Sequence, residues 1–130
     1  MEAREGAFTY MPLVELMWRP DRVDEATAVR VRDAVCRQVA SAFSQFDPRH
    51  EVTLDMVDAR LRMIGPLDVL HRDLLVSVLA RDERRRRRHS RSIAALVTEA
   101  VEREAPGVDA MVEVILNQRT SLYVYEEPRR

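Results

Sequence analysis

A chain of 130 residues has room for one domain with one core, because folding at that size buries roughly two-thirds of the surface the unfolded form exposes. All 21 of its basic residues are arginine, set against 22 acidic ones, so a net charge of −1 leaves no overall field for nucleic acid or an anionic membrane. The absence of lysine excludes lysine Schiff-base chemistry, and the single Cys36 argues against a disulfide framework and agrees with a reducing compartment.

Residues 1–10 carry charges of both signs and no sustained apolar run, the signature of neither a signal peptide nor a membrane span. The expectation is a soluble, cytoplasmic protein in which residues 1–11 are a leader or extension. From Pro12 the run Leu13, Val14, Leu16, Met17 and Trp18 predicts a mostly buried strand, interrupted by Glu15. A strand-entry proline is the plain reading of Pro12, since it lacks a backbone N–H. Residues 19–24 read as a turn, with Asp21 or Asp24 as helix N-cap and Glu25 in the first helical turn.

The next helix runs to about Phe46, because Val31, Ala34, Val35, Val39, Ala42, Phe43 and Phe46 recur at three and four. Cys36 lies beside that stripe and reads as a small apolar residue. Asp47 and Pro48 stop the helix, leaving residues 48–54 as loop. Over residues 56–64, Val57, Ala59, Leu61 and Met63 alternate with Asp58, Arg60 and Arg62, which predicts a strand with one apolar side ended by Gly65 and Pro66.

Residues 74–80, LLVSVLA, form a second apolar strand. The five-arginine run 84–88 leads into a helix with Ile93, Leu96, Val97, Ala100 and Val101 as its core stripe, ended by Ala105, Pro106 and Gly107. Residues 111–116 read as a fourth strand, 117–120 as a turn, 121–125 as a short fifth strand rich in tyrosine and β-branched residues, and 127–130 as a tail.

The order is strand, helix, strand, and then the same again about 62 residues later. The fold class is therefore α/β in the α+β sense: two consecutive βαβ units, residues 12–66 and 67–126 of a single domain, form a four-stranded sheet with two helices on one face, plus a short C-terminal strand. The opposite sheet face is then bare, with Glu15, Arg60, Arg62 and Glu113 among apolar side chains. Such a face invites association of subunits, and the last strand could extend a neighbour's sheet.

Other chemistries find little support. His50, His71 and His89 show no i, i+4 pairing and no cysteine companions, so they read as loop or surface residues and a metal site is not expected. Three glycines build no common phosphate loop, and no serine stands in a nucleophile elbow. The arginine run invites a nucleic-acid or anion-binding reading. Asp82 and Glu83 beside it, and the lack of interleaved aromatics, favour a solvated helix start with one or two arginines turned to a substrate.

Met11-Pro12 at the head of the first strand, the doubled βαβ length and the placing of several arginines together resemble the tautomerase superfamily, in particular its longer members similar to 5-carboxymethyl-2-hydroxymuconate isomerase and macrophage migration inhibitory factor. The resemblance spans residues 11–125. It implies an amino-terminal proline, here Pro12, that shuttles a proton between carbon and oxygen of a small 2-hydroxy-dienoate or 2-keto acid, with no cofactor. It also implies arginines that hold the carboxylate: Arg22 in DRVDEA, Arg60 in ARLRM as a catalytic partner able to act across a subunit boundary, and Arg84 in the second half. Arg62 on the strand of Arg60 and Tyr123 on the last strand are further substrate-binding candidates, Tyr123 being equally explained by packing. The implied partners are a small carboxylate substrate and two further copies in a homotrimer, without a membrane.

The chemistry depends on the state of one nitrogen. An N-terminal amine has a reference pKa of about 7.7–8.0, and a dry, cationic pocket lowers it toward a base poised near neutrality. In a chain that keeps residues 1–11, that nitrogen is a tertiary amide with no basic lone pair. The protein would then be a non-catalytic oligomer that has lost the base.

Overall fold

A computed structural model describes residues 12–117, which contain strands β1 (Leu13–Trp18), β2 (Asp58–Met63), β3 (Leu74–Arg81) and β4 (Ala110–Asn117) and helices α1 (Glu25–Phe46), α2 (Arg84–Arg88) and α3 (Ser90–Glu104). The expected fifth strand at 121–125, with Tyr123, lies outside the described residues. The four strands form one sheet in the order β2-β1-β3-β4. β1 is parallel to β2 and antiparallel to β3, and β3 is parallel to β4, so two βαβ units meet along the β1–β3 seam.

Side chains alternate across this sheet as the two-residue period requires. Val14, Leu16 and Trp18 of β1 and Leu74, Val76, Val78 and Ala80 of β3 are buried against the helices. Burying each of the larger ones contributes roughly 1.5–3 kcal/mol. α1 starts where Asp24, in an extended conformation, accepts a 2.8 Å hydrogen bond from the Thr27 backbone N–H, and those bonds from Thr27 hold its carboxyl below the usual range. Its apolar stripe, Val31, Val35, Val39 and Phe43, is fully buried, with Cys36 alongside. α3 adds Ile93, Val97, Ala100 and Val101 to the same core, so both long helices cover one face of the sheet as expected.

Three local expectations change. Residues 48–54 are not plain loop: single 3-10 turns form at Pro48–His50 and Leu54–Met56, and β2 starts later, at Asp58. β2 is an edge strand, so of its apolar side Leu61 packs on the core while Ala59 and Met63 stay exposed. The arginine run is a helix of its own, separated from α3 at His89, and is not simply a solvated start.

On the uncovered face the registers set residues in rows across all four strands. Arg60, Glu15, Ser77 and Glu113 form one polar row, joined by an Arg60–Glu15 ion pair at 3.1 Å and a 2.7 Å hydrogen bond from Ser77 Oγ to Glu113. It is flanked by the apolar rows Leu13, Leu79, Ile115 and Met17, Leu75, Met111.

Candidate active site

Pro12 is buried at the head of β1, and its carbonyl accepts a 3.1 Å hydrogen bond from the Asp58 backbone N–H. The antiparallel register, continued by one residue, sets it beside Ala80, where β3 is about to end. α1 returns along the sheet so that β2 can start beside Leu13, which brings the end of α1 to the Pro12 end. The C-terminus of α1, the exit of β3 and the arginine run therefore all lie at the end of the sheet where β1 begins.

A buried charge cluster has formed there. Arg86 is 0% exposed: its Nε lies 3.2 Å from Asp47 Oδ2, its Nη1 donates to the Arg81 carbonyl at 3.2 Å, and its guanidinium lies 4.8 Å from the centre of the Phe43 ring. Asp47, only 1% exposed, also contacts His50 Nδ1 at 3.0 Å, while Arg81 holds Glu83 at 3.2 Å. Burial pulls the Arg86 pKa below its ordinary value, against the pull of Asp47 and Glu83. His89 stacks on Phe46 with ring centres 4.8 Å apart. His50 and His89 are thus half-buried structural partners rather than surface residues; His71 is exposed as expected.

The expected site residues do not all converge within one protomer. Arg84 lies at the Pro12 end, exposed, lining a pocket with Asp47 and Glu83. Arg60 and Arg62 point to the uncovered sheet face, bound to Glu15 and, at 2.7 Å, to Asp68. Arg22, 3.9 Å from Asp73, follows the far end of β1, a strand length of about 20 Å away. Sequence reasoning missed Asp47 and Arg86. The first read as a helix stop, and the second hid among four other arginines with nothing to mark it as the inward one. Among the described residues, no group of three or more His, Cys, Asp or Glu could hold a metal ion, and no helix is long and apolar enough to cross a membrane.

No family model matches the sequence, and no curated protein does. Solved structures do match. Malonate semialdehyde decarboxylase, described with decarboxylase and hydratase activities, superposes with a TM-score of 0.61 at 18% identity over 82% of this chain and 84% of that one. A fused 4-OT symmetric trimer gives 0.58 at 15% identity over 83% and 87%. A macrophage migration inhibitory factor-like protein from Entamoeba histolytica gives 0.53 at 7% identity over 84% and 90%. All three are tautomerase-superfamily proteins, and the two-unit sheet with its paired helices is theirs. The chain therefore has the fold of the tautomerase superfamily.

Proposed function

We propose that the chain is a cofactor-independent tautomerase or isomerase of small 2-hydroxy-dienoate or 2-keto acids, active in the form whose first residue is Pro12. The observation that carries this reading is the position of Pro12: it heads one of the two central strands, buried, at the end of the sheet where Arg86, Asp47 and Arg84 lie. As a free secondary amine, Pro12 takes the proton from the substrate's enol oxygen. The O–H electron pair becomes the carbonyl bond, the carbon–carbon π pair shifts, and the proton is returned to the distal carbon. Guanidinium groups bind the substrate carboxylate in bidentate fashion and stabilise the negative charge on the enolate oxygen.

Because Arg22 and Pro12 stand at opposite ends of β1, the proposal draws Arg22, and with it Arg60, from a neighbouring subunit. The assembly is a homotrimer in the cytoplasm, closed over the uncovered sheet face with its two apolar rows. The likeness to malonate semialdehyde decarboxylase and to a 4-OT trimer supports proton chemistry on a shared scaffold, with decarboxylation or hydration of a three-carbon acid as the neighbouring possibility. In a chain that keeps residues 1–11 the acylated nitrogen removes the base, and the same assembly is a scaffold without turnover.

The test begins with the intact mass of the protein made from its native locus, and continues with an enol-to-keto absorbance assay on full-length and Pro12-first forms. The Pro12-first form is expected to ketonise enol acids, and the full-length form to stay at the buffer rate. No ketonisation above buffer by the Pro12-first form, over several enol acids, sinks the enzyme reading. In the active form, Arg60→Ala is expected to lower turnover by about tenfold or more, the worth of a lost charge-assisted hydrogen bond, and to harm assembly far less. Unaltered turnover would remove Arg60 from the site.

A further inference from the structure

Helical geometry divides the five-arginine run into three roles. Arg86 turns inward to Asp47, and Arg87 turns to Asp82 at 3.1 Å. Arg84, Arg85 and Arg88 turn to a third side, where Arg49, on the 3-10 turn that follows α1, joins them. These four line a pocket of about 240 Å³ whose remaining walls are Asp47, His50 and Glu83.

The charges in this pocket do not balance. Asp47 is held by Arg86 and His50, and Glu83 by Arg81, so both lining carboxylates are already engaged. Arg49, Arg84, Arg85 and Arg88 have no ion pair among the described residues, whereas the three other arginines of the segment, Arg81, Arg86 and Arg87, each hold a carboxylate. Arg84 and Arg88 stand one helical turn apart, an arrangement of like charges that weakens a helix. A local arrangement that opposes folding points to a purpose outside folding.

We propose that this pocket binds the phosphate group of a small phosphorylated ligand. A carboxylate has one charge and two coplanar oxygens, which a single bidentate arginine satisfies, leaving three guanidiniums uncompensated. A phosphate monoester carries about −1.5 to −2 charges on three acceptor oxygens and answers several guanidiniums at once. His50 is the one ring among the lining residues and its Nδ1 is held 3.0 Å from Asp47, so the pocket has no row of aromatic platforms for successive nucleic-acid bases. The site is independent of the tautomerase reading. It shares Arg84 with the proposed active site, so the test relies on the other arginines and reads binding rather than turnover.

The experiment titrates the full-length protein by calorimetry with inorganic pyrophosphate, inorganic phosphate, acetate and a short single-stranded oligonucleotide, at constant physiological ionic strength. Pyrophosphate is expected to bind at least about tenfold tighter than acetate, and Arg49→Gln/Arg88→Gln to weaken it by about tenfold or more, since each lost charge-assisted bond is worth about that factor. Arg37→Gln, on the exposed side of α1, leaves binding unchanged, and Arg85→Gln alone weakens it should the double variant fold poorly. Equal affinity for acetate and pyrophosphate, or indifference to these substitutions, overturns the proposal. So does an oligonucleotide that binds tighter than pyrophosphate and is lost with the same substitutions, because the site would then belong to nucleic acid.

Discussion

Arg86→Ala is expected to destabilise the folded protein by about 3–5 kcal/mol in urea unfolding, the usual cost of removing one partner from a buried ion pair. Arg86 is wholly shielded from solvent, and its removal strands the Asp47 carboxylate beside an emptied space, with His50 left to answer it among the described residues. The loss also takes the cation from the face of Phe43 and the donor from the Arg81 carbonyl, so the end of α1 and the exit of β3 lose a shared anchor. Asp47→Ala is expected to cost a similar amount for the mirror reason: a buried guanidinium keeps its charge and loses its main counter-ion. The double replacement Asp47→Leu/Arg86→Met distinguishes the buried pair from its surroundings. Desolvation offsets most of the Coulomb attraction in such a pair, so the double variant is expected to recover much of the stability that either single change loses. A single Arg86→Ala variant within about 1 kcal/mol of the parent, the worth of an exposed pair, would show that this guanidinium is solvated in solution.

That pair also marks the limit of what the chain discloses by pattern. Periodicity of 3.6 placed α1 and the stripe of α3, continuous apolar runs placed β1 and β3, and the Asp24 cap lies just before the first helical residue. The helices bury their apolar stripes within the protomer, whereas the two strands bury one side there and leave Leu13, Met17, Leu75 and Leu79 on the uncovered face. β2 is the strand that alternation placed, yet most of it is exposed, because edge position is a property of strand order and no local window contains it. The arginine run was opaque for a related reason: five identical side chains have no periodicity, and only the packing of α2 against the end of α1 selects Arg86 for the interior. Asp47 before Pro48 carried a valid stop signal that hid its second role as a buried counter-ion. Pro12 was legible as the residue that leads into β1, and it is buried there. Arg22 was legible as a candidate too, but its distance from Pro12 appears only when β1 is laid out as an extended strand, and the proposed function accordingly takes Arg22 from a partner subunit.

The second large effect concerns that partner. Leu79→Asp is expected to abolish self-association while leaving the protomer folded. Leu79 stands on the uncovered face between Leu13 and Ile115, next to the Arg60, Glu15, Ser77, Glu113 row, and its side chain points away from Val76, Val78 and the helices. Each leucine of this face sunk into an interface contributes about 1.5–3 kcal/mol. In a threefold ring the loss is incurred three times, with an unpaired carboxylate added at each turn. Light scattering is expected to give a native mass of three chains for the parent and one for the variant, with helical circular dichroism retained by both. Leu67→Asp, at a loop position 97% exposed, is the comparison that separates the sheet face from exposed apolar surface in general, and it is expected to leave the mass at three. In the Pro12-first form, Leu79→Asp is also expected to lose turnover, because the proposed function brings Arg22 and Arg60 to the proline from a neighbouring subunit. A monomeric parent, or a Leu79→Asp variant that still assembles, would place any functional interface elsewhere and leave Pro12 with the arginines of its own chain.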